Sequence, residues 1–524
     1  MLLPRRTVLA LVFALVLSGP GAAQAPATLP EGIDGFVARV MKTFDVPGVS
    51  LTVVKGGKTL LARGYGVRRL GEPAAVDAET LFGIASNTKV FTAAALGILV
   101  DEKKIEWDAP VIRYVPWFHM YDPFVTRELT VRDLLVHRSG LGLGAGDLLW
   151  WPESTYTRRE IAERLQFIKP VTSFRSAYAY DNVLYLIAGE VIEAVSGTTW
   201  ESFVTSRILT PAGMTMSNVT HSAAAAPGGN VAATHAPIDG VVKVIRPFIS
   251  DNTNPAGGIN ANAVDMAKWM NVLLAGGQLP GGTQLYSPAV ARELMTIVTP
   301  LPPTSPPAEL APLRSTLRGY ALGLNVQDYR GRRIVTHTGG LPGYVSRVLL
   351  VPDLGLGISV LTNQESGEAF NAIAYGIADH FLGAERFDWI DAFERVRARQ
   401  LAAVATTEGT ASSTRDASSK PSLALASYAG TYRDAWYGDI TITEAAGRLR
   451  ITFSKTPALT GALEHWQHDT FVARWDDAEL RADAFVTFAL TPEGTIEQAK
   501  MRAVSPATDF SFDFHDLLLI PVRR

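Results

Sequence analysis

The chain predicts an α/β fold of the α+β kind: an antiparallel sheet flanked by helices, an all-helical region, and then a small all-β, barrel-like C-terminal domain. Three observations predict it. Strand patterns lie near both ends of the first 400 residues, a long helical middle separates them, and a tail of short alternating strands follows a small, polar segment.

The first strand pair is GVSLTVVKGGKTLLARGYGV, Gly48 to Val67, two β-rich runs around a turn at Gly56-Gly57-Lys58. A helical stretch follows Ser86 through Val100. In the middle, Thr157 with Glu160 forms a capping-box pattern before IAERL. Asn182 leads into VLYLIAGEVIEAVSG, an apolar helix ending near Gly197, and AVDMAKWMNVLLAGG patterns a helix from Ala263 to Gly277. From Arg332 the strands return as RRIVTHTGG, SRVLLVPD and LGISVLTN. A last helix, DWIDAFERVRARQLAAV, starts at Asp388. The segment 401–425, rich in Ser, Thr and Ala, reads as a linker. Residues 426–524, with GDITITEAAGRLRITFS, FVARW and FVTFALT, read as the β domain, and 26–400 as the main one.

Residues 1–25 have the layout of a cleaved export signal: Arg5 and Arg6, an apolar run from Val8 to Leu17, then small residues at Ala23 and Ala25. The apolar run is short for a membrane span. The expectation is a periplasmic or secreted protein with no membrane span once the signal is cut. At 524 residues the chain can build large cores without staples, and it has no cysteine. Disulfides, thiolate catalysis and cysteine zinc sites are thereby excluded. A net charge of −3 provides no broad basic field, which argues against a nucleic-acid partner. The histidines are scattered and HExxH is absent, so neither a metal nor a cofactor is expected. The missing G-x-S-x-G elbow argues against an α/β-hydrolase.

Three short patterns carry the chemistry. Ser86-Asn87-Thr88-Lys89 is the one S-x-x-K in the chain, Tyr180-Asp181-Asn182 the one Y-x-N, and His337-Thr338-Gly339 the one H-T-G. A serine hydroxyl is a poor nucleophile until a base is beside it. Lys89, one helical turn on, serves if burial lowers its pKa. Tyr180 can share the proton and return it to a leaving group. Asn182, at a helix entry, can anchor the Lys89 amine and a substrate amide. His337, Thr338, Gly339 and Gly340 read as a strand whose glycines let its backbone approach a substrate closely. The Ser86 and Gly340 N–H groups are the expected oxyanion hole, each donor worth about 3 kcal/mol of barrier.

This series resembles the penicillin-recognising serine hydrolases: class C β-lactamases, D-alanyl-D-alanine peptidases, and related esterases and D-aminopeptidases. The resemblance spans roughly residues 30 to 400 and includes DVPGVSLTVV, LTVRDLLVHRSGL, NPAGGINANAVDMAKWM and GYALGLNV. It implies a beta-lactamase-like fold with the site in a cleft and no metal. Carried over, Ser86 is the acylated nucleophile, Lys89 and Tyr180 handle the protons, Asn182 supports them, and His337 belongs to the third motif. A lysine opens that motif in typical β-lactamases, and a neutral histidine grips a substrate carboxylate less well. The reading is therefore an exported serine hydrolase cleaving an ester or amide of a small molecule or peptide. A β-lactamase and a non-catalytic module that binds cell-wall peptides stand as alternatives. His137 reads as a structural histidine ending a helix. Trp150 and Trp151 suit either a substrate entrance or a cap on the helical region.

Overall fold

The computed structural model describes residues 28–225 and 228–522; the expected signal, residues 1–25, lies outside them. An eight-stranded antiparallel sheet forms the centre. Its order runs Lys58–Gly66, Gly48–Lys55, Leu356–Thr362, Tyr344–Val351, Arg332–Leu341, Asn325–Tyr329, Arg318–Tyr320, Thr299–Leu301. The first strand of the chain therefore pairs with the last of the sheet, Val49 opposite Thr362. Seven of the eight residues of Gly48–Lys55 are buried, because helices cover both faces.

On one face lie Ile33–Thr43, Gly367–Leu382 and Trp389–Ser413, around a core that includes Val37, Phe44, Ile373 and Trp389. The opposite face carries the helical region: Lys89–Asp101, Val183–Ser196 and Ala263–Leu274. Their apolar runs bury almost completely, as expected of helices that are hydrophobic all round. Thr157 and Glu160 form the reciprocal capping box, and Gly197 ends its helix in the left-handed region.

The tail closes into a barrel of eight antiparallel strands, from Gly430–Asp434 to Leu518–Pro521, sealed by Tyr432 opposite Pro521. Alternation along Arg448–Phe453 sends every second side chain inward. The apolar cluster of the helical region continues into the barrel through Trp150, Trp151, Phe512 and Phe514 without a break. The Tyr156 hydroxyl also donates to the Tyr437 carbonyl, Arg164 donates to that of Trp436 at 2.9 Å, and Arg481 pairs with Glu365.

One boundary differs from expectation. The last helix of the main domain continues to Ser413, so the first half of the segment read as a linker is helical. Its alanines and threonines satisfy the backbone in place, with the Thr406, Thr407 and Thr410 hydroxyls bonding carbonyls four residues back.

Candidate active site

Ser86 sits in a 3-10 turn, Ala85–Thr88, that opens directly into the helix Lys89–Asp101. Ala85 just before it has φ 50°, a left-handed conformation costly for alanine. The surroundings hold the turn there. Asn87 donates to Ser346 Oγ at 2.8 Å, and Ser346 donates to the Ile84 carbonyl at 2.7 Å. Ser86 itself remains accessible.

Lys89 is wholly buried. Its Nζ bonds Asn182 Oδ1 at 2.7 Å, the Ala256 carbonyl at 3.2 Å and Ser86 Oγ at 3.1 Å. The first two partners only accept, so they use two N–H bonds of the amine. The third position, toward Ser86, is where a neutral amine presents its lone pair. Burial pulls the Lys89 pKa down to about 7, while the carboxylates of Asp147 and Asp181 oppose the shift.

Asn182 stands at the entry of the helix Val183–Ser196, and its side chain turns to the lysine instead of capping that helix. Its carbonyl receives Lys89, and its Nδ2 donates to Asp147 Oδ2 at 2.9 Å, which fixes the orientation of the amide. Tyr180 lies with its ring 4.9 Å from Lys89 Nζ. Burial drives its phenol well above the usual tyrosine range, a hydrogen bond from Ser86 acting the other way. Tyr180 thus holds its proton more firmly than an exposed tyrosine does.

The third pattern divides its labour. His337 is buried rather than facing solvent. Its Nδ1 donates to the Thr338 carbonyl at 2.5 Å, so its Nε2 accepts from the Tyr320 hydroxyl at 2.8 Å. Burial first, and Lys89 second, lower its pKa to about 3, so the ring is neutral. Gly339 makes room: a Cβ there would fall 2.3 Å from the Ile84 carbonyl, so it serves strand packing against the nucleophile turn rather than substrate contact. Gly340 faces open space and, with Thr338, lines the cavity beside Ser86.

His137 follows the turn Asp133–Leu135 at φ 55°, fully buried, with its ring 4.3 Å from that of Tyr180. It supports Tyr180 from below instead of ending an α-helix. Trp150 and Trp151 line the cavity and are also buried in the apolar cluster that joins the helical region to the barrel.

The cavity holds about 330 Å³. Part of its wall was not legible in the sequence: Asp509, Phe510 and Ser511 come from the barrel, on the loop between its last two strands. Phe510 stands edge-on to Tyr180, and Gly144 leaves space for it, since a Cβ there would lie 2.8 Å from the Phe510 ring. Asp147 and Tyr320 were missed as well. The string GLGLGAGD was the nearest local signal for Asp147, marking a backbone that something approaches closely.

Residues 33–381 match the Beta-lactamase family model, and residues 414–520 match a Domain of unknown function (DUF3471). Among curated relatives, the Unguisins hydrolase ungD of Aspergillus violaceofuscus is 28% identical over 87% of this chain and 85% of its own. Penicillin-binding protein 4 of Amycolatopsis lactamdurans is 27% identical over 61% of this chain and 81% of its own. Among solved structures, the octameric penicillin-binding protein homologue from Pyrococcus abyssi superposes with a TM-score of 0.57 at 20% identity, over 93% of this chain and 99% of that one. The D-amino acid amidase from Ochrobactrum anthropi gives 0.55 at 22% identity, over 67% and 97%. With SNTK, YDN and HTG gathered around one cavity and the family model spanning both ends of the sheet, the chain belongs to the beta-lactamase family and is a serine hydrolase.

Proposed function

We propose that the protein is an exported peptidase or esterase that cleaves an ester or amide through a Ser86 acyl-enzyme. The observation that carries this reading is the buried Lys89 amine, lowered to about 7, with its one uncommitted position aimed at Ser86 Oγ. Ser86 attacks the carbonyl as Lys89 takes its proton. The Ser86 and Gly340 N–H groups receive the developing oxyanion. Tyr180, which retains its proton, passes it to the leaving group and is reprotonated by the Lys89 ammonium; water then attacks the acyl-enzyme and releases the acid.

The charges of the cavity favour this over a β-lactamase. No arginine or lysine is among the described residues that line it, His337 is neutral, and Asp509 adds a carboxylate. A substrate carboxylate, as β-lactam antibiotics carry, gains little there, whereas a neutral or amine-bearing substrate does not suffer. That relatives include an unguisins hydrolase, and structural neighbours a D-amino acid amidase, supports testing amides of D-amino acids beside simple esters.

The test is initial-rate hydrolysis of p-nitrophenyl butyrate and of D- and L-amino acid p-nitroanilides by the wild type and by Ser86→Ala. Turnover by the wild type with the variant at background supports the reading. Equal rates for the two would sink it, and tight binding of cell-wall peptides without turnover would favour the non-catalytic module. Export is tested by the mass of the protein recovered outside the cytoplasm, which should lack about the first 25 residues.

A further inference from the structure

We propose that the C-terminal barrel is a working part of the catalytic machinery: its Ser511 and Asp513 fix Asp147, and through Asp147 and Asn182 they position the Lys89 amine against Ser86. The proposal rests on the serine-nucleophile reading above and adds a residue set to it.

A continuous line of hydrogen bonds runs from the barrel to the nucleophile. Ser511 Oγ donates to Asp147 Oδ2 at 2.9 Å. The same oxygen accepts Asn182 Nδ2 at 2.9 Å, and Asn182 Oδ1 accepts Lys89 Nζ at 2.7 Å. Trp150 Nε1 donates to the other oxygen of Asp147 at 3.0 Å. Asp513, two residues after Ser511, accepts the Gly146 and Leu148 N–H groups at 2.7 and 3.1 Å, clasping the backbone on both sides of Asp147. Asp147 and Asp513 are fully buried and Ser511 nearly so, so water does not replace these partners.

The three side-chain contacts at Asp147 all donate to it, which favours its ionised form. Burial works in the opposite direction and pushes its carboxyl up to about 8. Asp147 therefore stands near its balance point, and one hydrogen bond matters. Other ionisable groups face the line from each side: Asp181 and Tyr180 ahead of the helix Val183–Ser196, Tyr185 within it, His137 from the turn below, His337 from the sheet, and Asp513 from the barrel. Asp147 itself is held directly by a donor from the barrel, the Ser511 hydroxyl.

The consequence has a sign. Without the Ser511 hydroxyl, Asp147 holds its proton to higher pH. Its negative charge, which helps Lys89 keep a proton, is then lost, and Lys89 sheds its proton at lower pH. A merely structural Ser511 moves no titration.

The experiment measures kcat and KM of the full chain with p-nitrophenyl butyrate from pH 5 to 9 for wild type, Ser511→Ala, Ser511→Thr and Asp147→Asn, beside the rate at which a fluorophosphonate labels Ser86. Ser511→Ala should lose about tenfold in kcat with KM little changed, shift the acid limb to lower pH, and recover in Ser511→Thr. Asp147→Asn keeps the shape of the side chain and should move the limb the same way, which gives the answer should Ser511→Ala fail to fold. A loss of kcat with the acid limb unmoved in both Ser511→Ala and Asp147→Asn marks packing alone and overturns the proposal. So does wild-type behaviour of Ser511→Ala. A wild type that takes no label refutes the serine-nucleophile reading itself, and the proposal falls with it.

Discussion

Gly339→Ala should cost activity far out of proportion to one methyl group. A Cβ at this position lies 2.3 Å from the Ile84 carbonyl oxygen, 2.6 Å from Ser346 Oγ and 2.9 Å from the Ala85 Cβ. Ordinary contact begins near 3.4 Å, so the strand Arg332–Leu341 and the turn carrying Ser86 must part by about 1 Å. Two of the three obstacles are backbone or bound tightly to it, since Ser346 is itself hydrogen-bonded to Ile84 and Asn87. Overpacking of this kind costs about 1–3 kcal/mol of stability. The displacement falls between Ser86 and Gly340, the two ends of the expected oxyanion hole, and a misplacement of about 1 Å lowers a rate roughly 100-fold. Gly340→Ala is the control, because its Cβ meets nothing within 4 Å and should leave the melting temperature unchanged. Thermal unfolding and kcat/KM on a p-nitrophenyl ester read both effects. Wild-type stability and turnover in Gly339→Ala would refute the assignment of this glycine to strand packing.

Three further outcomes are expected. The rate should rise through about pH 7 as Lys89 loses its proton, and Lys89→Arg, which stays charged, should fall about 1,000-fold; a flat profile between pH 6 and 8 would contradict Lys89 as base. His337 is lowered to about 3 when folded against about 6.5 unfolded, so the unfolded chain binds the extra proton between those values and stability falls as pH drops through that window. Asp147 acts with the opposite sign there, so the comparison of wild type with His337→Gln isolates the histidine: the variant should lose up to about 4 kcal/mol less stability from pH 6.5 to 3 in urea titrations. Asp133 is fully buried and paired with Arg138 at 2.8 Å and Arg175 at 2.5 Å, both of which water still reaches, so Asp133→Ala loses their charge-assisted hydrogen bonds and should destabilise by about 2 kcal/mol in denaturant melts.

The parts of this molecule that the sequence disclosed are those governed by local rules. Ser86 and Lys89 are one helical turn apart, the capping box at Thr157 is four residues long, and the alternation of Arg448–Phe453 is set by the pleat. The helix through Ser413 was misread because its final turns are rich in Ala, Ser and Thr around Gly409, a composition that suits a linker as well. Asp147 remained hidden for a different reason. Its meaning depends on Asn182, 35 residues away, and on Ser511, 364 residues away, and no spacing rule reaches across such distances. Asn182 was chosen correctly for contact with the lysine; its second partner, the Asp147 carboxylate, was not foreseen.

The pairing of Gly48–Lys55 with Leu356–Thr362 also dictates when this protein can come into being. The strand Gly48–Lys55 acquires its second neighbour only after the chain has grown some 300 residues past it, at about 5–20 residues per second a delay of roughly 15–60 s. For that interval the strands from Gly48 to Gly66 have no permanent neighbour beyond each other. Synthesis of this enzyme therefore passes through a long unprotected stage, and factors that shield exposed strands during translation should govern its yield more than its final stability does.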